Sequence, residues 1–119
     1  MCAMRRVAVT GMGIVSPLGN TVDEAYANAY LGRSGIHLLE IPLNRRLLAP
    51  LAATVHFDDV GHFDPPKLRM LDRVSQFALV AANQALVDSG CDLRQLDRDR
   101  AGVFVGTGVG GSQSNDDGY

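Results

Sequence analysis

The stretch from Asp64 to Gly90 constrains the fold more than any other part of the chain. Asp64 is followed by Pro65 and Pro66. Prolines in a first helical turn remove amide protons that have no intrahelical partner anyway. From there the spacing predicts a helix to about Ser89, capped by Asp64 at its start and stopped by Gly90. Leu68, Leu71, Val74, Ala78, Ala81 and Ala85 fall along one stripe, and Phe77-Ala-Leu-Val-Ala-Ala82 is apolar on every side. A helix apolar around its whole circumference is a buried helix. Its alanines let another backbone approach closely.

The flanking segments read as the rest of an α/β unit. Arg5 to Thr10 is a strand whose continuous apolar run, Val7-Ala8-Val9, suggests cover on both faces, as in a parallel sheet. Gly11 to Gly19 is a glycine-punctuated loop. Thr21-Val-Asp-Glu24 is a capping-box pattern, in which the threonine hydroxyl accepts from the glutamate amide and the carboxylate reaches back. Val22, Ala25, Tyr26 and Ala29 share one face of the helix it opens, and Gly32 stops it. Ser34 to Pro50 is broken by Pro42 and Pro50, with room for one helical turn over Asn44 to Ala49. Leu51 to Phe57 reads as a second strand, and Ala101 to Val105 as another of the buried type. The order is strand, helix, strand, long buried helix, strand. It predicts an α/β fold with a mixed, mainly parallel sheet.

Composition excludes several function classes. The 119 residues suit one domain or part of one. With Lys+Arg at 11 against Asp+Glu at 13, the chain offers no phosphate-binding surface, so nucleic acid is not an expected partner. Cys2 and Cys91 make no disulfide framework, which points to a reducing cytoplasm. No apolar run approaches the roughly 20 residues of a membrane span, and the start of the chain lacks the apolar core of a signal peptide.

The candidate chemical groups reduce to plainer readings one by one. Gly106-Thr-Gly-Val-Gly-Gly111 formally satisfies GxGxxG after a strand. A dinucleotide fingerprint also needs a helix at its third glycine and an acidic residue about 20 positions on. Ser112 to Tyr119 is a poor helix start, and the acid would fall beyond Tyr119. The plainer reading is a loop where backbone passes close to backbone or to a ligand. His56, Asp58, Asp59, His62 and Asp64 match no tight metal spacing and read as solvated loop residues. His37 reads as exposed and alone. Lys67, Arg69, Asp72 and Arg73 read as a solvated first turn. Cys91 lies past a helix C-terminus, which is no place for a nucleophile that wants a helix N-terminus or a cation beside it. No metal or cofactor is called for, and no catalytic group can be named from the residues alone.

Three segments together resemble one family. Arg5-Arg-Val-Ala-Val-Thr-Gly-Met-Gly-Ile-Val-Ser-Pro-Leu-Gly-Asn20 resembles the opening strand and loop of the β-ketoacyl-[acyl carrier protein] synthases. Met70-Leu-Asp-Arg-Val-Ser-Gln-Phe-Ala-Leu-Val-Ala-Ala-Asn-Gln-Ala-Leu-Val-Asp-Ser-Gly90 resembles their long buried helix, and Arg100 to Gly111 the strand and glycine turn that follow. The resemblance implies part of the first half of a thiolase-like fold, and a homodimer or a heterodimer with a related subunit. It implies acyl transfer to a cysteine, then decarboxylative condensation with a malonyl group on acyl carrier protein, with two histidines stabilising the developing oxyanion. The pathway it serves, fatty acid, polyketide or aryl polyene, stays open.

That cysteine and those histidines are expected downstream of Tyr119, since Cys2, Cys91, His37, His56 and His62 match none of them. Residues 1–119 are therefore expected to be a partial domain, inactive by itself. What the resemblance carries over is a stretch of acyl-chain pocket. Val109 matches the apolar residue of the family's glycine turn, and Gly108 and Gly110 would let that wall approach the chain. Two other readings stay open at this point: a non-catalytic chain-length partner, and a nucleotide-binding module.

Overall fold

A computed structural model describes residues 6–40 and 49–112. Helix α1 spans Val22–Tyr30. Strands β1, Ile36–Leu38, and β2, Leu51–Ala53, follow. Helix α2 is one turn, Pro65–Leu68, and α3 runs over Arg73–Ser89. A 3-10 turn covers Arg98–Arg100.

The ends of α1 form as the capping pattern predicts. Thr21 is extended, and its Oγ1 accepts from Glu24 N at 3.2 Å. The Glu24 carboxylate reaches one residue further back than expected and accepts from Asn20 N at 3.1 Å. Gly32 follows the helix at φ 67°, left-handed backbone that a glycine adopts without strain. Mixed helix and strand content agrees with an α/β class.

The long helix is two helices. Leu71 closes the turn after α2 by donating to Lys67 O at 3.0 Å, and Asp72 then starts afresh as an extended N-cap whose Oδ1 accepts from Ser75 N at 2.8 Å. An aspartate three residues before a free amide offers the backbone a better partner than the continuing helix does. Hydrogen bonding from Ser75, its side chain first and its backbone amide second, holds the Asp72 carboxyl below the usual carboxylate range. Asp64 is the N-cap of α2 by its backbone, but its side chain makes no capping bond. Gly90 ends α3 in left-handed conformation, φ 62°, as its position predicts.

α3 is also not covered all round. Gln76 and Val80 are buried, whereas Ala78, Leu79 and Ala82 are exposed. The covered side lies against the 11–20 loop and Phe57. The alanine stripe does admit a close backbone. A β-carbon on Gly13 would stand 1.9 Å from Ala81 O, and one on Gly11 would stand 2.1 Å from Ala85 O.

The parallel sheet is not formed among the described residues. Their one sheet is the antiparallel pair β1–β2, with Ile36 opposite Ala53 and Leu38 opposite Leu51. β2 forms only the first three residues of the strand expected over Leu51 to Phe57 and stops before the β-branched Thr54 and Val55. β1 falls in the proline-broken segment, where no strand is expected, and the helical turn expected over Asn44 to Ala49 falls almost wholly on residues 41–48, outside the described residues. Residues 6–10 and 101–105 take no strand pairing and are exposed throughout. The reason is local: no described segment lies alongside either run to accept its ladder hydrogen bonds.

Candidate functional site

The 11–20 loop is bound to α3 by polar side chains of that helix. Gln84 accepts from Ile14 N through Oε1 at 2.9 Å and donates through Nε2 to Asn20 O at 2.6 Å. Asp88 Oδ2 accepts from Met12 N at 2.8 Å. Asn20 extends the chain of bonds by donating Nδ2 to His56 O at 2.6 Å. Residues 84 and 88 stand one turn apart, so one face of α3 serves two backbone amides, Met12 and Ile14, beyond the reach of the loop's own Ser16–Gly19 bonds. Between this loop, α1 and the start of β1 lies an open apolar groove of about 1020 Å³. Val22, Ala25, Tyr26 and Ala29 all line it, as their common helix face predicts.

Near the start of α3 the expected solvated charge cluster holds for Lys67 and Arg69, which are exposed, but Arg73 is packed. The Arg73 guanidinium carbon stands 4.9 Å from the Phe57 ring centre and 5.2 Å from that of Phe77. It pairs with Asp59 Oδ2 at 3.3 Å and donates to Phe57 O at 3.3 Å. Phe57 meets Phe77 edge to face, and His62 stacks on Phe57 at 5.3 Å. A guanidinium combines a planar apolar face with charged edges, so it packs against both rings of the edge-to-face pair while its edge keeps polar partners. The pattern Asp59…Arg73 has no local spacing signal, and only the aromatic pair Phe57 and Phe77 hints at a partner. Asp58 accepts from Gly61 N within its own turn. Among the described residues no group of three His, Cys, Asp or Glu side chains is placed to hold a metal. His37 is exposed but not alone, since its Nε2 lies 2.9 Å from Thr54 Oγ1 across the β1–β2 pair.

The glycine turn sits at the N-terminal end of α3. Val109 is 85% exposed and does not line the groove. A β-carbon on Gly108 would meet nothing within 4 Å, so no described neighbour requires that glycine. One on Gly110 would lie 3.2 Å from Val74 Cγ1 and 3.1 Å from Thr107 Oγ1. Gly111 has φ 71°, left-handed backbone, and its β-carbon would lie 3.2 Å from Asp72 Oδ2. Cys91 is exposed in the turn after α3, at the C-terminal end of the helix. Cys2 lies outside the described residues, and of the poor helix start expected over Ser112 to Tyr119 only Ser112 is described, in helical conformation. Among the described residues no helix is long and apolar enough to cross a membrane.

Comparison with known proteins gives this arrangement its context. The family model described as β-ketoacyl synthase, N-terminal domain, matches residues 4–118. The chain is 36% identical over 115 residues to a 3-oxoacyl-[acyl-carrier-protein] synthase 2 of Staphylococcus aureus strain COL, covering 96% of this chain and 28% of that protein. It is 38% identical over 112 residues to a protein of the same name from Coxiella burnetii, covering 90% of this chain and 26% of that one. The chain thus spans about a quarter of the length of these curated relatives. With the opening loop, the helix of Gln84 and Asp88 and the glycine turn all inside the matched span, the chain belongs to the β-ketoacyl synthase family, as a segment of its N-terminal domain.

Proposed function

We propose that residues 1–119 form part of the first half of a thiolase-like condensing enzyme. That enzyme elongates an acyl chain by decarboxylative condensation with a malonyl group on acyl carrier protein. The observation that carries this reading is the match over 4–118, which takes in all three motif segments in order. The relatives are named synthases, which favours a catalytic parent over a non-catalytic chain-length partner. A synthase of this kind works as a dimer in the cytoplasm, with the carrier protein as its partner.

The chemistry needs a thiolate to take the acyl group and donors to hold the oxyanion that develops as carbon dioxide leaves. Cys91 is poorly placed to supply the thiolate, because it follows the C-terminal end of α3, where backbone carbonyls point outward. The contribution of this segment is scaffold and pocket wall. Incubated with acyl carrier protein bearing a radiolabelled acyl group, the chain is expected to take up no label. A stable thioester on Cys91 would show that the nucleophile lies within this segment.

Val109, flanked by Gly108 and Gly110, is the proposed wall of the acyl pocket. In a full-length synthase carrying this segment, Val109→Phe should lower kcat/KM for the longest acyl substrates about tenfold or more and leave short ones nearly unchanged. Overpacking of this size typically costs about 1–3 kcal/mol. An unaltered product profile removes Val109 from the pocket.

A further inference from the structure

Val74 stands behind the glycine turn. It lies in the first turn of α3, and its Cγ1 is the apolar atom against Gly110, 3.2 Å from where a β-carbon would stand. Asp72 touches the turn at the next residue, Gly111, at the same distance. The two residues that precede Val74 are held in place. Asp72 is fixed by Ser75 N, and Arg73 by Asp59 and the two phenylalanine rings. Val74, itself 37% exposed, is therefore presented from a braced helix start, and Val109, one residue before Gly110, is 85% exposed on the turn. A glycine has no side chain to absorb a change in what presses on it. A shift at Val74 passes directly to the backbone that carries Val109.

We infer that Val74 is a positioning residue for acyl-chain length, setting from behind how far the Val109 turn projects into the pocket. The inference rests on the acyl-pocket reading above, and it assigns Val74 no contact with the acyl chain. Val74→Ala lets the turn settle back onto α3, so longer chains are accepted. Val74→Leu and the milder Val74→Ile push it outward, so shorter chains are favoured. One methylene in an apolar pocket is worth roughly tenfold or more in discrimination. The expected shift is about tenfold in the ratio of kcat/KM for a long over a short acyl carrier substrate, upward for Ala and downward for Leu and Ile.

The test uses a full-length synthase in which residues 4–118 of this chain replace the matching segment of the Staphylococcus aureus relative. If that hybrid is inactive, the same substitutions are made at the aligned positions of the unaltered relative. Opposite shifts of the long-to-short ratio for Val74→Ala and Val74→Ile support the inference. A purely structural role would lower both rates together and leave the ratio in place, which overturns it. Val109→Phe is measured in parallel. If it moves the ratio and the Val74 variants do not, the acyl-pocket reading stands and this inference falls. If Val109→Phe leaves the ratio unmoved, both fall.

Discussion

Expressed alone, the chain should show no sharp cooperative melt from a monomer. Its accessible surface is 10569 Å², against roughly 6,200 Å² for a compact monomer of this mass. Among the described residues only Ala25 and Val80 are buried apolar side chains. Val7, Val103 and Phe104 are each more than 90% exposed, and Leu79 and Val87 on α3 are exposed as well. Each large side chain left in water forfeits roughly 1.5–3 kcal/mol, against a net stability of about 5–15 kcal/mol for a typical domain. The two apolar runs at 6–10 and 101–105 also present unpaired backbone, which invites pairing between chains. Aggregation, a molten globule, or folding only when the remainder of a synthase is supplied in trans is the expected behaviour. Circular dichroism with thermal melting, alongside gel filtration, decides it. A monomer that melts sharply would show that the exposed runs are tolerated and that this segment is a self-sufficient domain.

The second large effect lies at Gly13. In a full-length synthase carrying this segment, Gly13→Ala should destabilise by about 3 kcal/mol, the upper range for forcing a methyl group into a packed site. The new carbon would stand 1.9 Å from Ala81 O and 2.9 Å from Ala85 N. Both are helix backbone, so neither can turn aside. The loop must lift, and with it go the bonds from Ile14 N to Gln84 and from Met12 N to Asp88. Because the obstacle is a carbonyl and not a methyl, Ala81→Gly should fail to rescue the variant. Calorimetry on the single and double variants measures this. A loss below about 0.5 kcal/mol, the size of an ordinary surface change, would mean the loop does not lie on α3 in the folded enzyme. A rescue by Ala81→Gly would place the contact on the side chain instead.

Local chemistry makes much of this legible in advance. Thr21 and Glu24 carry a capping pattern whose partners are within four residues; the threonine bond forms as expected and the glutamate bond lands one residue back, on Asn20 N. Gly32 and Gly90 stop their helices because left-handed backbone is open to glycine without strain. Val22, Ala25, Tyr26 and Ala29 share a face because helical period alone places them there. The alanine stripe at 81 and 85 announces a close backbone neighbour, although not which one. Family membership is legible too, since three motif segments in order are a property of the sequence itself.

Other features escape the local pattern, most of them because they depend on partners far along the chain. The break between α2 and α3 turns on a contest between Asp72 as a cap and an apolar pattern that runs straight through it, and pattern alone favours the longer helix. Arg73 reads as a solvated charge until the paired rings of Phe57 and Phe77 are brought against it. Gln84 has no feature that marks it as the link between Ile14 and Asn20, residues more than 60 positions away. The apolar runs at 6–10 and 101–105 have strand character by composition, but a strand exists only where another accepts its hydrogen bonds. Helix ends, helix faces and family are thus written into the chain locally, because they rest on contacts within a turn or two and on motif order. The pairing of Gly11 and Gly13 with particular alanines, the seat of the Arg73 guanidinium and the unpaired state of the two apolar runs emerge only in three dimensions, because each is settled by a neighbour that the local chain does not contain.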